Sequence, residues 1–331
     1  MGETLIIAEA GVNHNGSFEM AKQLVDRAKE AGADFVKFQT AKLESLVSKH
    51  AEMAEYQKKN TGQKTSQKDM LRKLLLSYED FIKLSEYCKL SEIGFLSTPF
   101  DIESIYFLKD LVPFWKVPSG EITNYPYLVE IAKNSMPVVL STGMCEISEI
   151  DDAVALLKGN GTTELTLLHC NTQYPTPYED VNLHAMETLK NRYGLKVGYS
   201  DHTQGIEVPI AAVALGATII EKHFTLDHTL PGPDHKASLE PQELKEMVRS
   251  IRNIESALGS SEKKVSPSER NNIAVARKSI VASRRILRGE ILNSDNLTTK
   301  RPGTGISPMQ WNQIVGTRAV RDFEEDELIE I

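Results

Sequence analysis

Cysteine is scarce in this chain: three in 331 residues (Cys88, Cys145 and Cys170), scattered and odd in number. That excludes a disulfide framework and leads us to expect a reducing cytoplasm. No uninterrupted apolar run reaches the length of a membrane helix, so no membrane association is expected. The N-terminus lacks a signal-peptide layout, because Thr4-Leu5-Ile6-Ile7-Ala8 enters a strand pattern at once. Excess positive charge is missing too. Lys and Arg number 38 against 46 Asp and Glu, a net charge of −8, which argues against a nucleic-acid surface. It leaves room for local lysines in a cleft to bind a small anion. No Gly-x-Gly-x-x-Gly or phosphate-loop signature occurs, and Gly159-Asn160-Gly161 reads as a turn. What remains is an ordinary globular composition, 40% hydrophobic and 25% charged, with length for one large domain and a small one.

A strand-then-helix phrase repeats through the first three-quarters of the chain. Strand candidates lie at 5–11, 35–40, 94–100, 114–120, 137–143, 164–170, 196–200 and 218–224, with helical spacing between them, as at 18–31, 78–90, 149–158 and 208–216. Eight strands, each followed by a helix, is the count of a (β/α)8 TIM barrel, and their continuous apolar runs suit burial on both faces. Each candidate turns polar at its C-terminal end, which in a barrel is the active-site rim. A doubly wound open sheet would concentrate polar groups at one switch point instead. The connection 41–76 is long and polar, as lids are. The expected division is a barrel at 1–258, a polar linker at 259–276 and a small, mainly-β domain at 277–331. That tail has short runs at 279–282, 300–303 and 317–319 and a helix at 308–314. It is too small to be a confident independent core, so it is expected to dock on its own barrel or a partner's.

The rim residues suggest chemistry. Lys37 and Lys116 sit in apolar strand ends, where an unpaired ammonium is costly. Either each pairs structurally with Glu9 or Glu121, or together they face a doubly charged anion such as a phosphate. Ser97, Thr98, Ser119 and Ser200 would then serve as hydroxyl donors. A Schiff-base role for Lys116 is a further option. Glu9 and Glu121 are candidate acids or bases, and Asp201 shares that ambiguity. His202 and His223 end neighbouring strand candidates, which in a sheet lie about 4.8 Å apart, so their imidazoles could reach one ion. Simple hydrogen bonding is the other reading. Asp234, in the Pro231–His235 loop, is either a substrate hydroxyl acceptor or part of a tight turn. His228 and His235 read as solvent-facing or loop-bracing, and His14 as a cap for the next helix.

AEAGVNHNG (8–16), VKFQT (36–40), STPFD (97–101), WKVPSGE (115–121), LSTGM (140–144), LLHCNTQYPTP (167–177), GYSDHT (198–203), EKHFTLD (221–227) and GPDH (232–235) together resemble the bacterial sialic acid synthases. KRPGTGISP (300–308) resembles their antifreeze-like (SAF) domain. The resemblance implies a TIM barrel, an SAF domain and a domain-swapped homodimer that condenses phosphoenolpyruvate with an N-acetylhexosamine aldehyde. It implies a divalent metal on His202 and His223, usually manganese, with magnesium or cobalt tolerated. Phosphoenolpyruvate would meet Lys37, Thr98, Lys116, Ser119 and Ser200. The amino sugar would meet Gln39, Asn60, Tyr174 and Asp234, with Arg301 supplied by a partner's SAF domain. The order Asn171-Thr172-Gln173 departs from other members, which leaves a phosphate role for Asn171 or Thr172 open. The first expectation is N-acetylneuraminate synthesis from N-acetylmannosamine, on the strength of AEYQKKNTG (54–62) and ISPMQW (306–311). Synthesis of N,N′-diacetyllegionaminate from a 6-deoxy-diacetamido sugar is the alternative. A lysine Schiff-base aldolase and a non-catalytic sugar-binding protein are the rivals of other kinds.

Overall fold

The computed structural model describes residues 3–48 and 67–331. The chain forms two units, Met1–Gly259 and Ser260–Ile331. In the first, eight parallel strands make one sheet among the described residues: β1 (Leu5–Gly11), β2 (Phe35–Thr40), β3 (Gly94–Pro99), β4 (Trp115–Val117), β5 (Val138–Ser141), β6 (Leu165–Cys170), β7 (Lys196–Asp201) and β8 (Ile219–His223). Their order is β3-β2-β1-β8-β7-β6-β5-β4. The two terminal strands, β3 and β4, lie against each other and bring the sheet round into a barrel.

Local chemistry explains the elements and their limits. The helix Phe18–Ala31 buries Ala21, Leu24, Val25, Ala28 and Ala31 along one stripe. Its cap is Ser17, whose hydroxyl accepts from the Met20 amide, and not His14. His14 instead accepts from the Gly16 amide through Nδ1 at 3.1 Å. The fourth strand is shorter than the expected 114–120 because Pro118 cannot donate to a ladder. The chain turns there into the 3-10 segment Ser119–Glu121. Strand ends pair with strict alternation: Glu9 lies opposite His223, Gln39 opposite Thr98 and Ser200 opposite Glu221. Side chains at i and i+2 therefore share a face, so Lys37 with Gln39, and Glu221 with His223, go to the same side.

The neighbours of those residues face the other way. Lys222 and Asp201, opposite each other across β7 and β8, form an ion pair at 2.5 Å with neither side chain exposed. Lys222 also donates to the Thr203 carbonyl, and Thr203 donates to Asp201 through both its amide and hydroxyl. The pair thus locks the register of the two histidine-bearing strands. Lys222→Met is expected to destabilise the barrel by about 3–5 kcal/mol, because Asp201 would remain as a buried uncompensated charge. Lys222→Met with Asp201→Asn should recover much of that loss in a denaturant titration.

The C-terminal unit is built on β9 (Ser279–Ala282), antiparallel to β10 (Leu297–Lys300). Its core gathers Ile280, Ile286, Leu292, Ile314, Phe323 and Ile329. The expected linker contains a short helix, Asn272–Ala276, tied in by Gly303 donating to the Ala274 carbonyl at 2.7 Å. The expected helix 308–314 divides into a 3-10 turn, Pro308–Gln310, and a single helical turn, Trp311–Ile314.

Candidate active site

The strand alternation delivers a cavity of about 390 Å³ at the C-terminal ends of the barrel strands. Glu9, Lys37, Gln39, Thr98, Lys116, Ser119, Tyr174, Ser200, His202, His223 and Asp234 all line it. At its floor four charged groups are almost wholly buried: Glu9 at 1% exposure, Lys37 and Lys116 at 3%, and Glu221 at 4%. Charges so buried must be paired, and they are. Lys37 lies 2.8 Å from Glu9 and 3.7 Å from Glu221, and Lys116 lies 3.4 Å from Glu221. Lys37 also donates to the Thr98 hydroxyl, Gln39 to Glu9 and Ser200 to Glu221, the last two at 3.0 Å.

The electrostatics follow from this geometry. Burial works against the charge of Glu221, yet Lys116 and Lys37 outweigh it and hold the carboxyl at about 2. Burial raises the pKa of Glu9, and the Glu221 charge adds to that against the pull of Lys37. Burial lowers the pKa of Lys116, the more so beside Lys37, against the pull of Glu221. Burial also works against the charge of Lys37, but the two carboxylates beside it prevail and its pKa rises.

Several expectations need correction. Lys116 pairs with Glu221 and not with Glu121. Glu121 is half-buried, accepts from the Asn124 side chain at 2.6 Å and does not line the cavity. The turn that ends β4 at Pro118 carries it away. Glu221 was not singled out as a site residue, although its i, i+2 relation to His223 would have pointed to it. Ser97 faces away, bonded to Thr40 at 2.6 Å. Ser141 does line the cavity, with a buried hydroxyl that has no hydrogen-bond partner among the described residues. Asn171 turns its amide to the Asp180 carbonyl and its own carbonyl to His202, so it braces a histidine while Thr172 lines the cavity. Asp201 belongs to the structural pair with Lys222. Asn60 lies outside the described residues. Arg301 is exposed in the C-terminal unit, donating through Nε to the Ala276 carbonyl at 3.0 Å.

The NeuB family matches residues 24–263 and the SAF domain residues 277–330. The chain belongs to the NeuB family. It is 52% identical over 332 residues to the N,N′-diacetyllegionaminic acid synthase of Campylobacter jejuni, covering 99% of each chain. It is 39% identical to human N-acetylneuraminate-9-phosphate synthase, covering 98% of this chain and 90% of the other. A crystal structure of N-acetylneuraminic acid synthetase from Leptospira borgpetersenii, in complex with citrate, matches with a TM-score of 0.71 at 36% identity, covering 82% of this chain and 90% of that one.

In this NeuB-family barrel His202 and His223 stand with ring centroids 5.3 Å apart, and the Tyr174 ring leans on both. Burial lowers the pKa of His202 to about 4 and that of His223 well below the ordinary value, which keeps both imidazoles neutral. His202 Nδ1 meets the Asn171 carbonyl at 2.5 Å. A carbonyl only accepts, so Nδ1 carries the hydrogen and Nε2 the lone pair. His223 Nδ1 is buried without a hydrogen-bond partner among the described residues. Gly11, at φ 52°, takes a backbone conformation that other residues rarely adopt, and a Cβ there would press on Gln39 Nε2 at 3.2 Å and Glu9 at 3.3 Å. Two neutral, adjacent imidazoles with lone pairs to give fit a borderline divalent cation. Among the described residues no group of three or more His, Cys, Asp and Glu could hold one.

Asp234 is buried at the cavity wall, and burial, with Glu9 nearby, pushes its pKa up to about 7. An acid whose pKa is higher folded than unfolded binds its proton more tightly in the native state. Its contribution to stability therefore falls as pH rises from the ordinary carboxylate range to about 7. Asp234→Asn is expected to raise the Tm at pH 8 by about 2–4 °C for each kcal/mol relieved, and to leave it unchanged at pH 4. Differential scanning fluorimetry at the two pH values checks this.

Proposed function

We propose that this chain is an N,N′-diacetyllegionaminate synthase, condensing phosphoenolpyruvate with a 6-deoxy-diacetamido aldehyde sugar and water to give the nonulosonate and phosphate. The observation that carries this reading is 52% identity over 99% of both chains to the Campylobacter jejuni enzyme of that name. A Legionella pneumophila protein of the same name is equally similar, across 95% of this chain. Both exceed the similarity to the human N-acetylneuraminate-9-phosphate synthase, which favours the alternative over the first expectation of N-acetylneuraminate synthesis. That expectation leans on residues 54–62, which lie outside the described residues, and on 306–311. The cavity supports the alternative. Leu46, Val47, Met70, Leu71 and Leu75 give it an apolar side. A 6-methyl group gains from such a wall, whereas a 6-hydroxyl would lose water there without a partner.

The chain's own residues support the chemistry. Lys116, with one carboxylate partner at 3.4 Å, has charge to share with an incoming phosphate or carboxylate. Lys37, Thr98, Ser119 and Ser200 extend that anion site, and the unpartnered Ser141 hydroxyl joins it. Gln39, Tyr174 and Asp234 form the sugar side. C3 of phosphoenolpyruvate attacks the aldehyde carbon, forming the new carbon–carbon bond. Water then adds at C2, and the tetrahedral intermediate expels phosphate by C–O cleavage. Glu9, which lines the cavity and whose pKa burial raises, is the carboxylate placed to take the proton from that water. Glu121, outside the cavity, is not. His202 and His223 would hold a divalent cation, manganese first and magnesium or cobalt next, which when bound polarises the aldehyde oxygen.

We further place the reaction in the cytoplasm and in a domain-swapped homodimer with Arg301 contributed by the second copy. Among the described residues no helix is long and apolar enough to cross a membrane. The Schiff-base rival has the lowered Lys116 pKa in its favour, but the relatives named above are synthases and none is a lysine aldolase by name. A sugar-binding protein without chemistry would not need four buried charges.

Phosphate release from phosphoenolpyruvate across a panel of aldehyde sugars, with and without chelator, tests the reading. The 6-deoxy-diacetamido sugar should be preferred by at least about 10–100-fold in kcat/KM, the range one methyl or hydroxyl commands in an apolar pocket, with the second acetamido group adding to it. A preference for N-acetylmannosamine would restore the other substrate.

A further inference from the structure

We infer that His235 is a positioning residue that clamps the loop after β8 to the loop after β1, and so holds Asp234 at the cavity wall. The inference rests on the proposed role of Asp234 toward the amino sugar. His235 does not itself line the cavity. It is fully buried, and each ring nitrogen reaches a different loop. Nδ1 lies 2.7 Å from the Thr225 hydroxyl, and Nε2 lies 3.3 Å from Asn15 Oδ1.

Burial holds the His235 pKa near 4, so the ring is neutral and has one donor and one acceptor. The Thr225 hydroxyl has a single proton. The short contact to Nδ1 takes it in preference to the Asp227 carbonyl at 3.2 Å. Nε2 then carries the ring proton and donates to Asn15. The clamp is reinforced on the far side of Asp234. Ser238 donates to the Asp234 carbonyl at 2.7 Å and accepts from Asn13 at 2.9 Å, while Asn13 also donates to the Phe224 carbonyl at 2.8 Å. Gly232 fits against the ring itself: a Cβ there would stand 2.6 Å from His235 Cδ2 and 3.1 Å from Asn15 Oδ1. The segment that presents Asp234 is therefore fastened to the loop after β1 through one imidazole and through Asn13 and Asn15, beside its own 3-10 turn His235–Ala237 and the Phe224–Leu239 bridge.

Three variants of the full-length protein test this: His235→Ala, His235→Asn and Gly232→Ala. His235→Ala should raise the KM for the amino sugar about tenfold while the KM for phosphoenolpyruvate stays within about twofold, because loss of one buried polar link acts on loop placement alone. His235→Asn, which can still bond Thr225, should recover part of the loss. Gly232→Ala, which keeps His235 but displaces it, should mimic His235→Ala. Hydrogen–deuterium exchange of residues 225–238 should quicken in both alanine variants. An unchanged sugar KM, or an equal rise in both KM values, would overturn the clamp. Should the wild type turn over no amino sugar, the proposed function fails while the exchange data still decide the clamp: unchanged protection of 225–238 in His235→Ala removes it.

Discussion

Lys116→Met is expected to lower kcat/KM by about a thousandfold, with the loss appearing first in the affinity for phosphoenolpyruvate. The argument is one of charge balance. Two ammonium groups and two carboxylates share the cavity floor at separations of 2.8 to 3.7 Å, and all four are almost sealed from water. Removing the Lys116 charge leaves Glu221 facing Lys37 alone, so an entering phosphate meets a floor with one positive charge against two carboxylates. Glu221→Gln is the informative companion. It frees Lys116 and Lys37 from their shared partner, so it should bind phosphoenolpyruvate at least as tightly as wild type. It should still lose turnover, because Ser200 and both lysines lose the group that positions them. Isothermal titration with phosphoenolpyruvate, set beside steady-state rates, separates these effects. Equal affinity in Lys116→Met and wild type would mean that the anion binds elsewhere.

His223→Ala is expected to reduce activity by at least about a hundredfold and to abolish the response to added divalent cation. A chelator should lower both the activity and the Tm of the wild type, since a cation that binds only the folded chain stabilises it by mass action. The Tm of His223→Ala should not respond to chelator. Its Tm should start at or below that of the chelator-treated wild type, because it has lost the cation and the packing of a buried ring. A wild type whose rate and Tm both ignore chelator would remove the cation from the mechanism and return the two histidines to a packing role.

The sequence by itself determined the barrel, the strand positions and the polar rim. These follow from strictly local signals: apolar runs of strand length, helical spacing between them and a polar residue at each strand end. Lys37, Lys116, Ser200, His202 and His223 were legible on that basis. The pairing of charges was not, because it depends on which strands become neighbours and on which face each side chain takes. Glu121, two residues after Ser119 in an attractive motif, is carried out of the cavity by the turn at Pro118, whereas Glu221 comes in beside both lysines from β8. Asp201 and Lys222, each adjacent in sequence to a cavity residue, face outward because side chains alternate along a strand. Adjacency in sequence made Asp201 a candidate for the site, and the two-residue period of the strand removed it. The folded barrel alone decided these matters, since only closure of the sheet brings residues 9, 37, 116 and 221 within reach of one another, away from water, where their charges must cancel.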